Sequence, residues 1–201
     1  MFKFNLLIAV IAFLNVSADS SERPNIMIIL TDDMGFSDLG CFGGEIDTPN
    51  LDSLASTGLR FTEFYNTARC WPTRATMLSG RYSDKLTPSQ VIVPQVLKGS
   101  GYQTGMVGKW HLGMNWVDVK KGKSEELPIG ARMTDGPNAL GFDYFYGFTH
   151  ARNIGGIIEQ DTVVANVKGI ENQPMMIKKA LEYLDERAKE DKPFFLYFPM
   201  C

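Results

Sequence analysis

Asn25-Ile26-Met27-Ile28-Ile29-Leu30, closed by Thr31-Asp32-Asp33, orders the rest of the chain. The run is almost continuously apolar and rich in β-branched residues, so it predicts a central strand buried on both faces of a parallel sheet. Downstream, Thr48 as N-cap and Pro49 at the first turn open a helix with Leu51, Leu54 and Ala55 on one face, and Gly58 stops it. Residues 59–65 alternate Leu59, Phe61 and Tyr65 with Arg60, Thr62 and Glu63, which predicts a second strand. A helix beginning around Pro72 runs through Ala75, Met77 and Leu78 to Gly80, placing Cys70 at its N-terminus.

A short helix is expected over 93–98 and a strand over 102–107, with Gly108-Lys109-Trp110-His111 directly at its carboxyl end. Residues 115–137 are charged and rich in Gly and Pro and predict a long surface loop. An aromatic strand is expected over 142–148. From about 174 to 189, Ile177, Ala180, Leu181, Leu184 and Ala188 recur at helical spacing, and 194–198 forms a last apolar strand. Alternating strands and helices give an α/β fold, with a mostly parallel central sheet flanked by helices. Ligands of such sheets bind beyond the carboxyl ends of the strands. Asp32, Asp33, Lys109 and His111 all fall at such ends, and Cys70 falls in a strand-to-helix connection.

The composition, 44% hydrophobic and 21% charged, is that of an ordinary folded domain, and a net charge of −3 without a basic stripe speaks against nucleic-acid binding. Lys120, Lys121 and Lys123 are answered at once by Glu125 and Glu126 and read as a solvated loop. Residues 1–18 form a signal peptide: Lys3 supplies the positive start, 6–14 is apolar, and Val16-Ser17-Ala18 is a small-residue cleavage site. No later segment approaches the roughly 20 apolar residues that span a bilayer, so no stable membrane anchor is expected. The expected destination is outside the cytosol: periplasmic, secreted or lysosomal. Three cysteines, Cys41, Cys70 and Cys201, are too few and too odd in number for a disulfide framework there.

Two adjacent carboxylates, Asp32 and Asp33, offer hard oxygen ligands suited to calcium or magnesium, while the same pair also serves as an ordinary turn. A thiol at a helix N-terminus with Arg74 one turn along makes a place for an anion. The alternatives for Cys70 are a buried thiol or a disulfide with Cys41. Lys109 and His111, two apart on extended chain, present a fixed cation and a titratable imidazole to one side.

With these residues in place, the chain resembles the sulfatase family, whose fold is alkaline-phosphatase-like. Arg23-Pro24-Asn25-Ile26 leading to Thr31-Asp32-Asp33 looks like the family's first strand and metal motif. Thr48-Pro49-Asn50-Leu51-Asp52 with Gly58 resembles the helix after it. Cys70-Trp71-Pro72-Thr73-Arg74, continuing to Ser79-Gly80-Arg81-Tyr82, matches the cysteine-any-proline-any-arginine signature, and Gly108-Lys109-Trp110-His111-Leu112-Gly113 matches the second signature. Weaker similarity continues through Phe142-Asp143 and Phe145-Tyr146-Gly147 to the end.

The resemblance implies that a maturating, formylglycine-generating enzyme oxidises Cys70 to formylglycine, whose hydrate attacks a sulfate ester. It implies that Asp32, Asp33 and the residue at position 70 bind calcium, that Arg74 and Lys109 hold the sulfate charge, and that His111 hydrogen-bonds the hydrate. Family members continue with a histidine, an aspartate-asparagine pair and a lysine that find no match here. Residues 19–201 are therefore expected to be the N-terminal portion of the catalytic domain, apparently truncated. Two other readings stay open: a phosphatase or phosphodiesterase of the same superfold, and a catalytically silent module that binds sulfated glycans. His150 and Arg152 are expected in a surface or core role rather than in the substrate pocket.

Overall fold

The computed structural model describes residues 23–83, 85–87, 89–117 and 127–201. The expected signal peptide at 1–18 and the lysine-rich cluster at 120–126 lie outside the described residues. The chain runs through β1 (Ile26–Leu30), α1 (Pro49–Thr57), α2 (Cys70–Ser79), α3 (Val93–Gly99), β2 (Gln103–Lys109), β3 (Tyr144–Phe148), β4 (Gly156–Glu159), β5 (Thr162–Asn166), α4 (Gly169–Arg187) and β6 (Phe194–Pro199). The strands form one sheet in the order β1-β6-β2-β3-β4-β5. The first four are parallel, and β4 and β5 add an antiparallel hairpin.

Two apolar layers follow from the period of two along β6. Phe195 and Tyr197 pack with Met106, Phe142, Phe145 and Leu78 on the side of α2 and α3. Leu196 and Phe198 pack with Val107, Phe148, Met176, Ala180 and Tyr183 on the side of α4. Helices thus cover both faces of the central strands, as their near-continuous apolarity requires. At Gly105 in β2 a Cβ would collide with the Tyr183 ring, so the missing side chain is what lets α4 lie against the sheet.

Several local expectations are corrected. Among the described residues β1 is an edge strand, not a central one: Ile26, Ile28 and Leu30 pack on the α2/α3 side, while Met27 and Ile29 are exposed. Residues 59–65 are irregular chain rather than a strand, with Leu59 89% exposed and no neighbouring strand among the described residues to pair with. Helix α1 forms between Thr48 and Gly58 as expected, yet none of its residues is buried. Thr48 does not cap with its side chain; its hydroxyl donates to Asp52 Oδ1 at 2.9 Å and accepts from the Gly40 N–H at 2.9 Å.

Helix α4 starts at Gly169, with Pro174 inside it, and buries Asn172, Met176, Ala180 and Tyr183, whereas Ile177 and Leu181 point outward. The buried stripe is displaced by about one residue from the one the apolar spacing suggested. The expected surface loop at 115–137 contributes buried Leu127 and Met133 to the core. Among the described residues no helix is long and apolar enough to cross a membrane.

Candidate active site

The carboxyl ends of β1, β6, β2 and β3 form one rim, and the chemistry-bearing side chains gather there. Gly108 brings the backbones together: its φ is 128°, and a Cβ there would run into the Pro199 carbonyl at the end of β6. Lys109 follows it as the last residue of β2, 2% exposed. Pairing with β3 continues past the strand, with the N–H groups of Trp110 and His111 donating to the carbonyls of Phe148 at 3.1 Å and Thr149 at 2.8 Å.

Helix α2 supplies the facing wall. Its entry is a tight turn in which Ala68, at φ 55°, donates its N–H to Asn66 Oδ1 at 2.6 Å. That left-handed residue costs roughly 1 kcal/mol, and it delivers Cys70 as the first residue of the helix. The thiol is free and half-buried, and so is that of Cys41, so the two are not joined in a disulfide. Cys70 lines a cavity of about 190 Å³ together with Asp32, Asp33, Asn66, Arg69, Thr73 and Arg74.

Arg74 lies one turn beyond Cys70 and is fully buried. Its guanidinium donates to the Lys109 carbonyl at 2.9 Å, to the Tyr197 hydroxyl at 3.4 Å and to the Met200 carbonyl at 3.4 Å, and it stands 3.6 Å from Asp32 Oδ2. Lys109 Nζ is ion-paired to the same Asp32 oxygen. Two buried cations thus share one carboxylate. Burying an unbalanced charge is expensive, so this corner of the cavity is disposed to receive another anion. The α2 N-terminus adds its own positive potential there. Burial raises the Tyr197 hydroxyl to about 12, which keeps it neutral.

His111 sits at φ 59° just past the strand. Burial first, and then Lys109, Arg74 and His150, lower its pKa to about 4, so it is neutral at physiological pH. Its Nδ1 is buried without a hydrogen-bond partner among the described residues. His111 lines a different cavity, of about 370 Å³, with Trp110, Trp116, Thr149, His150 and Asn153. It reaches the Cys70 turn through Trp71, whose ring meets its own edge-on at 5.6 Å.

Cys70, Arg74, Asp32 and Asp33 therefore share one cavity, Lys109 joins them through Asp32, and His111 is one aromatic ring away. Thr149, His150, Asn66 and Tyr197 also stand at the rim. His150, expected on the surface or in the core, has its ring 6.0 Å from that of His111. Only its position two residues after an apolar strand could have signalled this. The Tyr197 hydroxyl gave no signal, since a tyrosine within an apolar strand looks like core.

Asp32 and Asp33 are oxygen donors of the kind calcium takes. They fit such an ion in chemistry and fall short of it in number, because calcium takes about 6–8 oxygens. No group of three or more His, Cys, Asp or Glu side chains among the described residues is arranged to hold a metal.

Residues 24–200 match the family model described as Sulfatase. The chain is 34% identical to arylsulfatase A of Homo sapiens over an alignment of 238 residues, covering 96% of this chain and 43% of that protein. Among solved structures, BT33336S-sulf of Bacteroides thetaiotaomicron superposes with a TM-score of 0.78 at 24% identity, covering 89% of this chain and 51% of the other. BT4656, solved in complex with its substrate D-glucosamine-2-N,6-O-disulfate, superposes with a TM-score of 0.67 at 28% identity, covering 89% of this chain and 34% of the other. The chain thus spans less than half the length of the arylsulfatase A it matches.

Proposed function

The chain belongs to the sulfatase family, and from that premise we propose that the protein it represents is an exported sulfuric ester hydrolase that uses formylglycine at position 70 and calcium. The observation that carries this reading is the pair of buried cations, Arg74 and Lys109, sharing the single carboxylate of Asp32 beside a cysteine at a helix N-terminus. Such a corner binds a small anion and stabilises charge that builds on its oxygens. Arg74 and Lys109 would hold the sulfuryl oxygens, each already fixed by neighbours and so needing little reorganisation. His111, neutral at working pH, offers a ring nitrogen, unpaired among the described residues, that would hydrogen-bond the hydrate.

A formylglycine hydrate at position 70 supplies a nucleophilic oxygen and can expel sulfate by returning to the aldehyde, which a serine ester cannot do. Its formation requires a maturating enzyme as partner. Asp32 and Asp33, with the residue at position 70, would hold calcium, which would neutralise sulfate charge, and other oxygen donors would complete its shell. The names of the relatives support sulfate esters of aryl or sugar alcohols as substrates.

The test is the mass of the tryptic peptide containing residue 70, from the complete protein coexpressed with a maturating enzyme, alongside hydrolysis of 4-nitrophenyl sulfate. An aldehyde at position 70 with turnover is the expected result. A plain thiol with no turnover would instead favour a silent sulfated-glycan-binding module.

A further inference from the structure

Resting on the sulfatase reading, we propose that Arg69 is a specificity-determining residue that binds a second anionic group of the substrate, beside the ester being cleaved. Arg69 precedes Cys70 directly and lines the same cavity as Cys70, Arg74 and Asp32. The three basic side chains of this corner differ in how they are satisfied. Arg74 and Lys109 are buried and share the one carboxylate of Asp32, which leaves their remaining charge for the ester being cleaved. Arg69 is exposed, and among the described residues it makes no ion pair at all.

An exposed arginine without a partner usually wanders, losing any directional value. This one is held: its guanidinium lies over the Trp71 ring, 4.3 Å from the centroid, as a cation–π pair. Trp71 is in turn fixed edge-on against His111. A planar fork of donors is thereby parked at the mouth of the cavity with its charge unspent. That is a geometry suited to bidentate contact with a sulfate or carboxylate. The favoured substrates are sulfate esters carrying a second negative group near the first, such as multiply sulfated or carboxylated sugars, rather than singly charged aryl sulfates.

The experiment compares kcat/KM of the complete, matured protein on 4-nitrophenyl sulfate and on a ring-carboxylated analogue of it, for the parent, Arg69→Gln and Arg69→Lys. In Arg69→Gln the ratio of carboxylated to plain ester should fall by about 10-fold, the size expected for one charge-assisted hydrogen bond. Arg69→Lys should recover part of that ratio, and in the parent the ratio should shrink as salt is added. A merely structural role would lower both esters together and leave the ratio alone, which overturns the assignment of Arg69 while leaving the sulfatase reading intact. No turnover of either ester by the parent overturns both.

Discussion

The Arg74 guanidinium donates to the backbone carbonyl of Lys109 at 2.9 Å, so one buried cation of the rim holds the main chain of the other. Through its further bonds to Tyr197 and Met200, and its approach to Asp32, the same side chain ties together the carboxyl ends of β1, β2 and β6. The residue that would bind sulfate is thus also the one that sets the spacing of the site, and binding and stability should fail together when it is removed. Arg74→Met keeps most of the volume and deletes the donors. It is expected to lower unfolding stability by about 2–3 kcal/mol, since the carbonyls and Asp32 lose a buried partner. Urea denaturation checks this; a change below about 0.5 kcal/mol, the size of an ordinary surface substitution, would mean that the strand ends are held otherwise.

Cys70→Ser should abolish steady-state sulfate ester hydrolysis in the complete protein, by at least about 10³-fold. A serine can take the sulfuryl group once and has no aldehyde to fall back to. One equivalent of alcohol released per enzyme, followed by nothing, is the expected time course. Sustained turnover at the parent rate would remove the aldehyde from the mechanism.

Asp32 and Asp33 should separate by experiment, although both are expected to bind calcium. Asp32 is the counter-ion of two buried cations, whereas Asp33 is exposed and makes no ion pair among the described residues. Asp33→Asn should lower calcium content while leaving stability in chelator near that of the parent. Asp32→Asn should lower calcium content and also destabilise the metal-free protein, because Arg74 and Lys109 are left to repel each other. Metal analysis beside thermal unfolding in chelator reads both, and equal calcium in the Asp33 variant and the parent would make Asp33 a turn residue.

What is legible in the sequence is placement at element ends. Cys70, Lys109 and His111 stand at element ends, and ends are marked locally by Pro72, Gly80 and Gly108. Strand β6 declares itself because residues buried on both faces must be continuously apolar. What is not legible is which surface covers which. The β1 run reads as central although Met27 and Ile29 have no cover, and 59–65 reads as a strand although nothing pairs with it, among the described residues. In α4 the apolar spacing of Ile177 and Leu181 pointed to one face, but Asn172, Met176 and Tyr183 are the residues buried. Asn172 donates to the Ile154 carbonyl, a partner 18 positions away that no local pattern reveals. The hairpin of β4 and β5 is not legible because Ile157-Ile158 and Val163-Val164 are short runs, joined through Gln160 in a left-handed conformation usually signalled by Gly or Asn.

His111 should make the fold sensitive to acid. Its folded pKa is about 4, lowered chiefly by burial and then by Lys109 and Arg74, against an unfolded value of 6.5. The unfolded chain therefore takes up a proton at a pH where the folded one still refuses it. By linkage, stability is fully present above about pH 6.5, declines as pH falls toward 4, and levels off below that for this group. A replacement that cannot titrate should remove this slope. Asn is the choice, because residue 111 sits at φ 59°, which asparagine tolerates better than most side chains. His111→Asn should narrow its stability gap to the parent as pH falls from 6.5 to 4, and above pH 7 the difference between them should be flat. Urea midpoints taken across pH 4–8 read that difference directly. A difference that stays constant through the whole range would show that His111 charges as easily in the folded state as in the unfolded one, and that the cations around it are screened.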